Sequence, residues 1–179
     1  MTNRVTVFGA GAWGSTMAQV LHDAGNDVLL WGRSEEVVAE INTSHTNKKY
    51  LDGHTLPAEL KATSDLAQAF SHTHIYVLAI PAQQLRQMLA EWKPLVAKDA
   101  IVVSTLKGIE ISTQMRMTEI IEEMWGVSKV GVITGPNLAD ELVLRQLPGQ
   151  WLLHKRKSSL TLFATFSERR ITALTHRSM

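Results

Sequence analysis

A chain that leaves a short apolar run through Gly9-Ala10-Gly11-Ala12-Trp13-Gly14 and enters a helical pattern has few folds open to it. The run is β-prone (Val5, Val7, Phe8) and starts almost at the N-terminus. Glycines spaced G-x-G-x-x-G arise by chance in loops. Between a strand and a helix they form a dinucleotide-binding fingerprint. Gly9 allows the tight turn out of the strand, Gly11 lets the backbone approach a pyrophosphate, and Gly14 lets the helix pack closely on the sheet. The helix N-terminus then offers free N–H groups and the positive end of its dipole to phosphates. The plainer alternative is a glycine-rich strand-to-helix turn with no ligand, and the rest of the unit argues against it.

That remainder is a helix over residues 15–24, a turn at Gly25-Asn26-Asp27, and a buried parallel strand at Val28-Leu29-Leu30-Trp31. A unit selective for NAD places Asp or Glu at the end of this strand to accept from the ribose 2′-hydroxyl. Here Gly32-Arg33-Ser34 follows instead. A guanidinium suits a 2′-phosphate, and its planar face can stack on adenine. The sequence therefore favours NADP, or acceptance of both NADP and NAD. The competing reading makes Arg33 a solvated loop residue beside Glu35 and Glu36.

Downstream, strand and helix alternate. A helix is expected over residues 35–43, then a polar loop to Pro57, a short strand at Lys61-Ala62-Thr63, and a helix capped by Ser64. A continuous apolar strand covers residues 74–80. A helix over 81–92 carries proline in its first turn, where the missing N–H costs nothing. A strand at 100–104, a helix at 112–125 and a strand at 129–133 complete the pattern. The alternation predicts an α/β fold with a doubly wound, Rossmann-like parallel sheet, whose ligands sit beyond the carboxyl ends of the strands. Those ends are Gly9, Arg33, Ile80-Pro81, Thr105-Leu106-Lys107-Gly108 and Thr134-Gly135-Pro136-Asn137, and all five should converge on one crevice. Lys107, a cation leaving an apolar strand with a glycine after it, can reach a nicotinamide end or a phosphate. Its alternative is an ordinary surface lysine. Gly135-Pro136-Asn137 before a helix start at Leu138-Ala139-Asp140-Glu141 offers a second small anion or hydroxyl site, or a simple proline turn.

Composition sets limits. The chain of 179 residues is 45% hydrophobic and 20% charged, with no cysteine. It therefore forms no disulfide or thiolate metal site and suits a reducing, cytoplasmic compartment. No segment approaches the roughly 20 apolar residues of a membrane helix. The first strand leaves no room for a signal peptide. A net charge of +1 makes no case for nucleic acid. His72 and His74 lack a third ligand and read as surface histidines rather than metal ligands. Met115, Met117, Met124, Trp92 and Trp125 read as packing residues.

The charge is unevenly spread. Residues 1–150 hold 12 basic and 16 acidic residues, whereas 151–179 hold 6 basic residues and only Glu168. The break near Pro148-Gly149 separates a cofactor domain over 1–147 from a divergent basic tail over 148–179, which is not expected to fold as a domain. The swing predicts that residues beyond about Gln146 are read in a shifted frame. If Gly149 to Leu153 were encoded GGG-CAG-TGG-TTG-CTN, regrouping the bases would give Ala-Val-Val-Ala, the apolar run of a next buried strand. The alternative is a genuine short basic extension.

Taken together, GAGAWG, WGR, LPAEL, SDL, STLKGIE and TGPNLADE resemble the bacterial NAD(P)-dependent glycerol-3-phosphate dehydrogenases, from about Arg4 to Gln146. The resemblance implies reduction of dihydroxyacetone phosphate to sn-glycerol 3-phosphate with NADP or NAD as cofactor, feeding phospholipid synthesis, with a possible homodimer in the full-length family. By motif position it assigns cofactor contacts to Ala12, Trp13, Arg33, Lys107 and Ala139, beside the Gly9, Gly11 and Gly14 of the fingerprint and Tyr50 of the loop named below. It assigns substrate contacts to Lys107, Gly135 and Asn137. The family often carries Ser where Ala12 stands, and a backbone amide serves as well there. Tyr50 and Asn47 sit in the loop that lies along the cofactor in such enzymes. The family's catalytic lysine belongs to a following helical domain. No residue here matches it, and Lys155 and Lys157 do not take its place. The chain is expected to be the cofactor-binding half of the enzyme, inactive alone. The alternatives are a stand-alone dinucleotide-binding sensor or partner module, and a dehydrogenase for 6-phosphogluconate or a 3-hydroxyacid. LKG with TGPN speaks against the last.

Overall fold

The computed structural model describes residues 2–134 and 139–145, together with the strands Trp151–Leu153, Phe163–Ser167 and Arg170–Leu174. Six parallel strands form the body of the sheet: β1 (Arg4–Phe8), β2 (Asp27–Trp31), β3 (Lys61–Thr63), β4 (Ile75–Leu78), β5 (Ile101–Ser104) and β6 (Lys129–Thr134). Their spatial order is β3-β2-β1-β4-β5-β6. That order reverses direction at β1 and β4, so the expected doubly wound sheet is present, with its switch point beside the glycine loop. β7 (Trp151–Leu153), β8 (Phe163–Ser167) and β9 (Arg170–Leu174) continue the sheet beyond β6 in antiparallel pairing.

Alternation along each central strand sends side chains to two faces. Val5 and Val7 of β1 join Val28, Leu30, Val77 and Val103 under α1 (Ala12–Asp23) and α2 (Glu35–Ser44), through Ala18, Val37, Val38 and Ile41. Phe8 turns to the other face, beneath α3 (Leu66–Ser71), α4 (Leu85–Trp92) and α5 (Met117–Trp125). That layer is aromatic: the Phe8 ring centre lies 4.5 Å from Phe70, 5.2 Å from Trp92 and 5.7 Å from Tyr76. Trp92 and Trp125 are core residues, and the Trp125 indole N–H donates to the Leu89 carbonyl at 2.9 Å. Met117 is buried, with Met115 and Met124 packed partly against the same core. Thr6, the buried polar residue of β1, donates to the Ala69 carbonyl at 2.8 Å.

The element boundaries differ from expectation at several ends, each for a local reason. α1 begins at Ala12 rather than at residue 15, because Gly11 is already its N-cap. Asp65, not Ser64, caps α3, accepting from the Ala67 and Gln68 amides. Pro81 caps a 3-10 turn, Ala82–Gln84, that leads into α4. α5 starts at Met117 rather than 112, because Gln114 takes a left-handed conformation and Ile109 bridges to Arg116. A short α6 (Ala139–Val143) docks on α1, where the Gln19 side-chain amide donates to the Val143 carbonyl at 2.9 Å. Among the described residues no helix is long and apolar enough to cross a membrane.

Candidate functional site: a cleft over the glycine loop

The three fingerprint glycines answer to different demands. Gly9 has φ +120°, and a Cβ there would stand 2.3 Å from the Ala79 carbonyl oxygen. A Cβ on Gly14 would fall 1.7 Å from the Gly9 carbonyl oxygen. The close packing expected at Gly14 is therefore first against its own loop, with Ala79 next. Gly11 is different. Its backbone is extended (φ −78°), and a Cβ there would meet no protein atom within 4 Å. Neither conformation nor packing requires glycine at 11, so the space it keeps clear is open to a ligand. Gly32 is a fourth constrained glycine that the motif does not reveal: its Cβ would lie 2.7 Å from the Ala10 Cβ.

Above this loop α1 presents an N-terminus with no side-chain cap and no acid in its first turn. The leading N–H groups of a helix have no intrahelical partner, and the dipole favours an anion there. The floor of the cleft comes from the carboxyl ends of β1, β2 and β4, and the loop after α2 adds Lys49 and Tyr50. Backbone bonds hold the strand ends in place: the Gly9 amide donates to the Trp31 carbonyl at 2.9 Å, and the Ala79 amide to the Phe8 carbonyl at 2.8 Å.

The cleft has a volume of about 590 Å³ and is lined by Gly9 to Gly14, Trp31 to Ser34, Val37, Lys49, Tyr50, Ala79 to Pro81 and Met88. It brings Arg33 and Tyr50 together with the glycine loop and adds Lys49, whose ammonium sits 5.3 Å from the Tyr50 ring centre. Arg33, Lys49 and Tyr50 are exposed. Ser34 caps α2 by accepting from the Val37 amide, with Glu35 and Glu36 in the favourable first turn. Among the described residues no carboxylate lies within ion-pair distance of Arg33 or Lys107.

Lys107 occupies an adjoining recess of about 360 Å³ with Thr105 and Leu106. Trp13, Ala79 and Ile80 line both spaces. The end of β5 thus meets the cleft across Trp13 rather than inside it. Ala139 opens α6 against α1, its carbonyl accepting from the Thr16 hydroxyl at 3.4 Å. Gly135 and Asn137 lie outside the described residues. Asn47 is fully buried and is absent from the cleft lining, although Lys49 and Tyr50 beside it are present.

The loop after Lys107 is held by charge. Gly108 has φ +93°, which turns the chain. Glu110, 7% exposed, then takes bonds from Arg86 Nε and Nη2 at 3.0 Å each, and from the Thr113 hydroxyl. Gln83 accepts from the Ile111 amide and donates to the Ile109 carbonyl. The Arg86 guanidinium, with the Thr113 hydroxyl, holds the Glu110 carboxyl below the usual carboxylate range. Sequence offered no signal for this clamp, because Arg86 lies 24 and 37 residues from its carboxylate partners Glu110 and Glu123.

With this geometry in view, comparison with known proteins is specific. Residues 4–160 match the family model described as NAD-dependent glycerol-3-phosphate dehydrogenase N-terminus. The chain is 50% identical over 145 residues to a glycerol-3-phosphate dehydrogenase [NAD(P)+] of Corynebacterium diphtheriae, covering 80% of this chain and 44% of that protein. A Streptomyces avermitilis protein of the same name is 46% identical over 144 residues, covering 79% and 43%. Among solved structures, glycerol-3-phosphate dehydrogenase of Saccharomyces cerevisiae superposes with TM-score 0.79 at 29% identity, over 99% of this chain and 54% of that one. The Coxiella burnetii enzyme gives 0.77 at 27%, over 85% and 46%. The chain thus spans less than half the length of the curated relatives it matches. Sequence, strand order and glycine loop agree: the chain belongs to the NAD-dependent glycerol-3-phosphate dehydrogenase family and carries that family's N-terminal region.

Proposed function

We propose that the cleft binds NADP and NAD, and that the chain is the cofactor-binding half of an enzyme reducing dihydroxyacetone phosphate to sn-glycerol 3-phosphate. The observation that carries the reading is Gly11, a glycine that neither backbone nor packing requires, at an uncapped, acid-free helix N-terminus. In this reading the pyrophosphate lies over Gly9, Gly11 and Gly14 and accepts from the leading amides of α1, those of Ala12 and Trp13. Arg33 takes the 2′-phosphate of NADP as a charge-assisted partner, with Tyr50 beside the adenosine. The nicotinamide end runs past Trp13 toward Lys107, whose ammonium reaches both cofactor and substrate phosphate. Gly135 and Asn137 complete the substrate contacts, and Ala139 completes those to the cofactor. The bound cofactor supplies the hydride.

Reduction of a carbonyl also needs a positioned acid to protonate the forming alkoxide. No residue of this chain matches the family lysine expected to do so. The chain alone therefore binds cofactor without appreciable turnover. Calorimetric titration with NADP⁺ and NAD⁺, and an NADPH-oxidation assay with dihydroxyacetone phosphate, test both halves of the reading. Saturable binding is expected, with turnover lower by at least the roughly 10²–10⁴-fold that loss of a general acid costs. Absence of binding to either cofactor, or oxidation at an ordinary enzyme rate, would contradict the corresponding half.

A further inference from the structure

Asn47 is a fully buried amide whose partners are 37 and 32 residues away in sequence. Its Nδ2 donates to the Ala10 carbonyl at 3.0 Å and to the Ser15 hydroxyl oxygen at 2.9 Å. The first bond fixes which end of the amide points where, since a carbonyl can only accept. Ala10 sits inside the glycine loop and Ser15 on the first turn of α1, so one side chain ties the two parts that must be aligned for a phosphate. The same residue anchors the opposite wall through its backbone: the Asn47 carbonyl accepts from the Tyr50 amide at 3.1 Å and the Leu51 amide at 2.7 Å. Its own position is fixed by its neighbours. Glu40 Oε1 accepts from the Thr46 hydroxyl at 2.7 Å and the Lys48 amide at 2.9 Å, on either side of Asn47. The Leu51 side chain is buried, 2% exposed.

We propose that Asn47 is a positioning residue for the dinucleotide: its side-chain amide holds the Ala10–Ser15 arc in the shape that receives the pyrophosphate. The inference rests on the cofactor reading above. The mechanism is preorganisation. With Nδ2 in place, the Ala10 carbonyl is paired and turned toward Asn47, leaving the leading edge of α1 to face an anion. Without it, that buried carbonyl must find another partner by rotating its peptide, which moves the loop. Aspartate at 47 keeps the size but removes the donor, and sets a negative charge against a carbonyl and close to where phosphates would lie.

The test separates the phosphate arc from the adenosine wall by using two ligands, NADP⁺ and adenosine 2′-monophosphate, which lacks the pyrophosphate. In the whole chain, Asn47→Ala should weaken NADP⁺ by about tenfold or more, and Asn47→Asp by more again, as expected from losing a buried hydrogen bond and adding a charge. Affinity for adenosine 2′-monophosphate should stay within about threefold, since the backbone carbonyl that places Tyr50 is retained. Equal losses for both ligands, tracking a fall in melting temperature, would show a purely structural role and overturn the inference. Unchanged NADP⁺ affinity in Asn47→Ala would overturn it too. Should both variants fail to fold, Ser15→Ala removes one of the two Nδ2 partners and should still weaken NADP⁺ selectively, and equal affinity there would count against the proposal. Wild-type chain that binds neither ligand would overturn the cofactor reading itself, and this inference with it.

Discussion

Just beyond β2, Arg33 is exposed, lines the cleft and, among the described residues, has no carboxylate within ion-pair distance, although Glu35 and Glu36 lie two and three residues on. In the proposed cofactor reading this guanidinium takes the 2′-phosphate of NADP. Arg33→Asp should therefore cut NADP⁺ affinity by about tenfold or more in calorimetric titration, and NAD⁺ affinity by less, because NAD⁺ has no 2′-phosphate. Equal losses would remove Arg33 as the selectivity residue. Gly14 makes the opposite kind of claim, one about folding. With only 1.7 Å between a Cβ there and the Gly9 carbonyl, relief requires the helix or the loop to move. Gly14→Ala should destabilise the chain by at least the ~1–3 kcal/mol typical of overpacking, read as a lowered melting temperature by circular dichroism. An unchanged melting temperature would mean that α1 does not sit against the loop as described.

Between β5 and α5, the Arg86–Glu110–Thr113 clamp gives the segment after Lys107 its shape and a pH signature. The native Glu110 carboxyl titrates below its ordinary value of 4.5, chiefly because Arg86 donates to it. Its stabilising contribution is complete above that value and is lost as the pH falls through the lower native value. Melting temperature should fall on acidification below about pH 4.5, and Glu110→Gln should flatten that part of the profile. Parallel profiles for the two proteins would place the acid sensitivity elsewhere; Glu40, also held low by Thr46 and Lys48, is the next group to vary. The same region shows where sequence is mute. The six parallel strands were legible to within a residue or two, because a buried parallel strand is a continuous apolar run such as Tyr76-Val77-Leu78, whereas β7, β8 and β9 lie in the basic segment where no strand was expected. Helix starts were less so. The α5 start at Met117 depends on a turn closed by Glu110, and the α3 cap fell to Asp65 because its carboxylate, not the neighbouring Ser64, reaches the free amides. Asn47 was visible as a cofactor-loop residue, but its bonds to Ala10 and Ser15 cross more than 30 residues and leave no local pattern.

Across the whole molecule, the sheet order puts β1 and β4 side by side with connections leaving in opposite directions, and the glycine loop opens into the gap between them. Two apolar layers hold that gap rigid: the aliphatic one beneath α1 and α2, and the aromatic one around Phe8 and Trp92. In the proposed cofactor reading, a packed scaffold with its cleft at the switch point predicts a trade between stability and binding, and Gly11 is the place to measure it. Serine is a better helix N-cap than glycine by a few tenths of a kcal/mol, and the extended backbone at 11 already suits it. In the proposed reading, its side chain would also fill the space that the pyrophosphate takes. The decisive measurement is the melting temperature of wild-type and Gly11→Ser chains with and without NADP⁺. At one hundred times its dissociation constant, a ligand of the native state adds about 2.7 kcal/mol. The account predicts that Gly11→Ser melts at or above the wild-type temperature without ligand and loses the rise that NADP⁺ gives the wild type. A Gly11→Ser chain protected by NADP⁺ as fully as the wild type would contradict it.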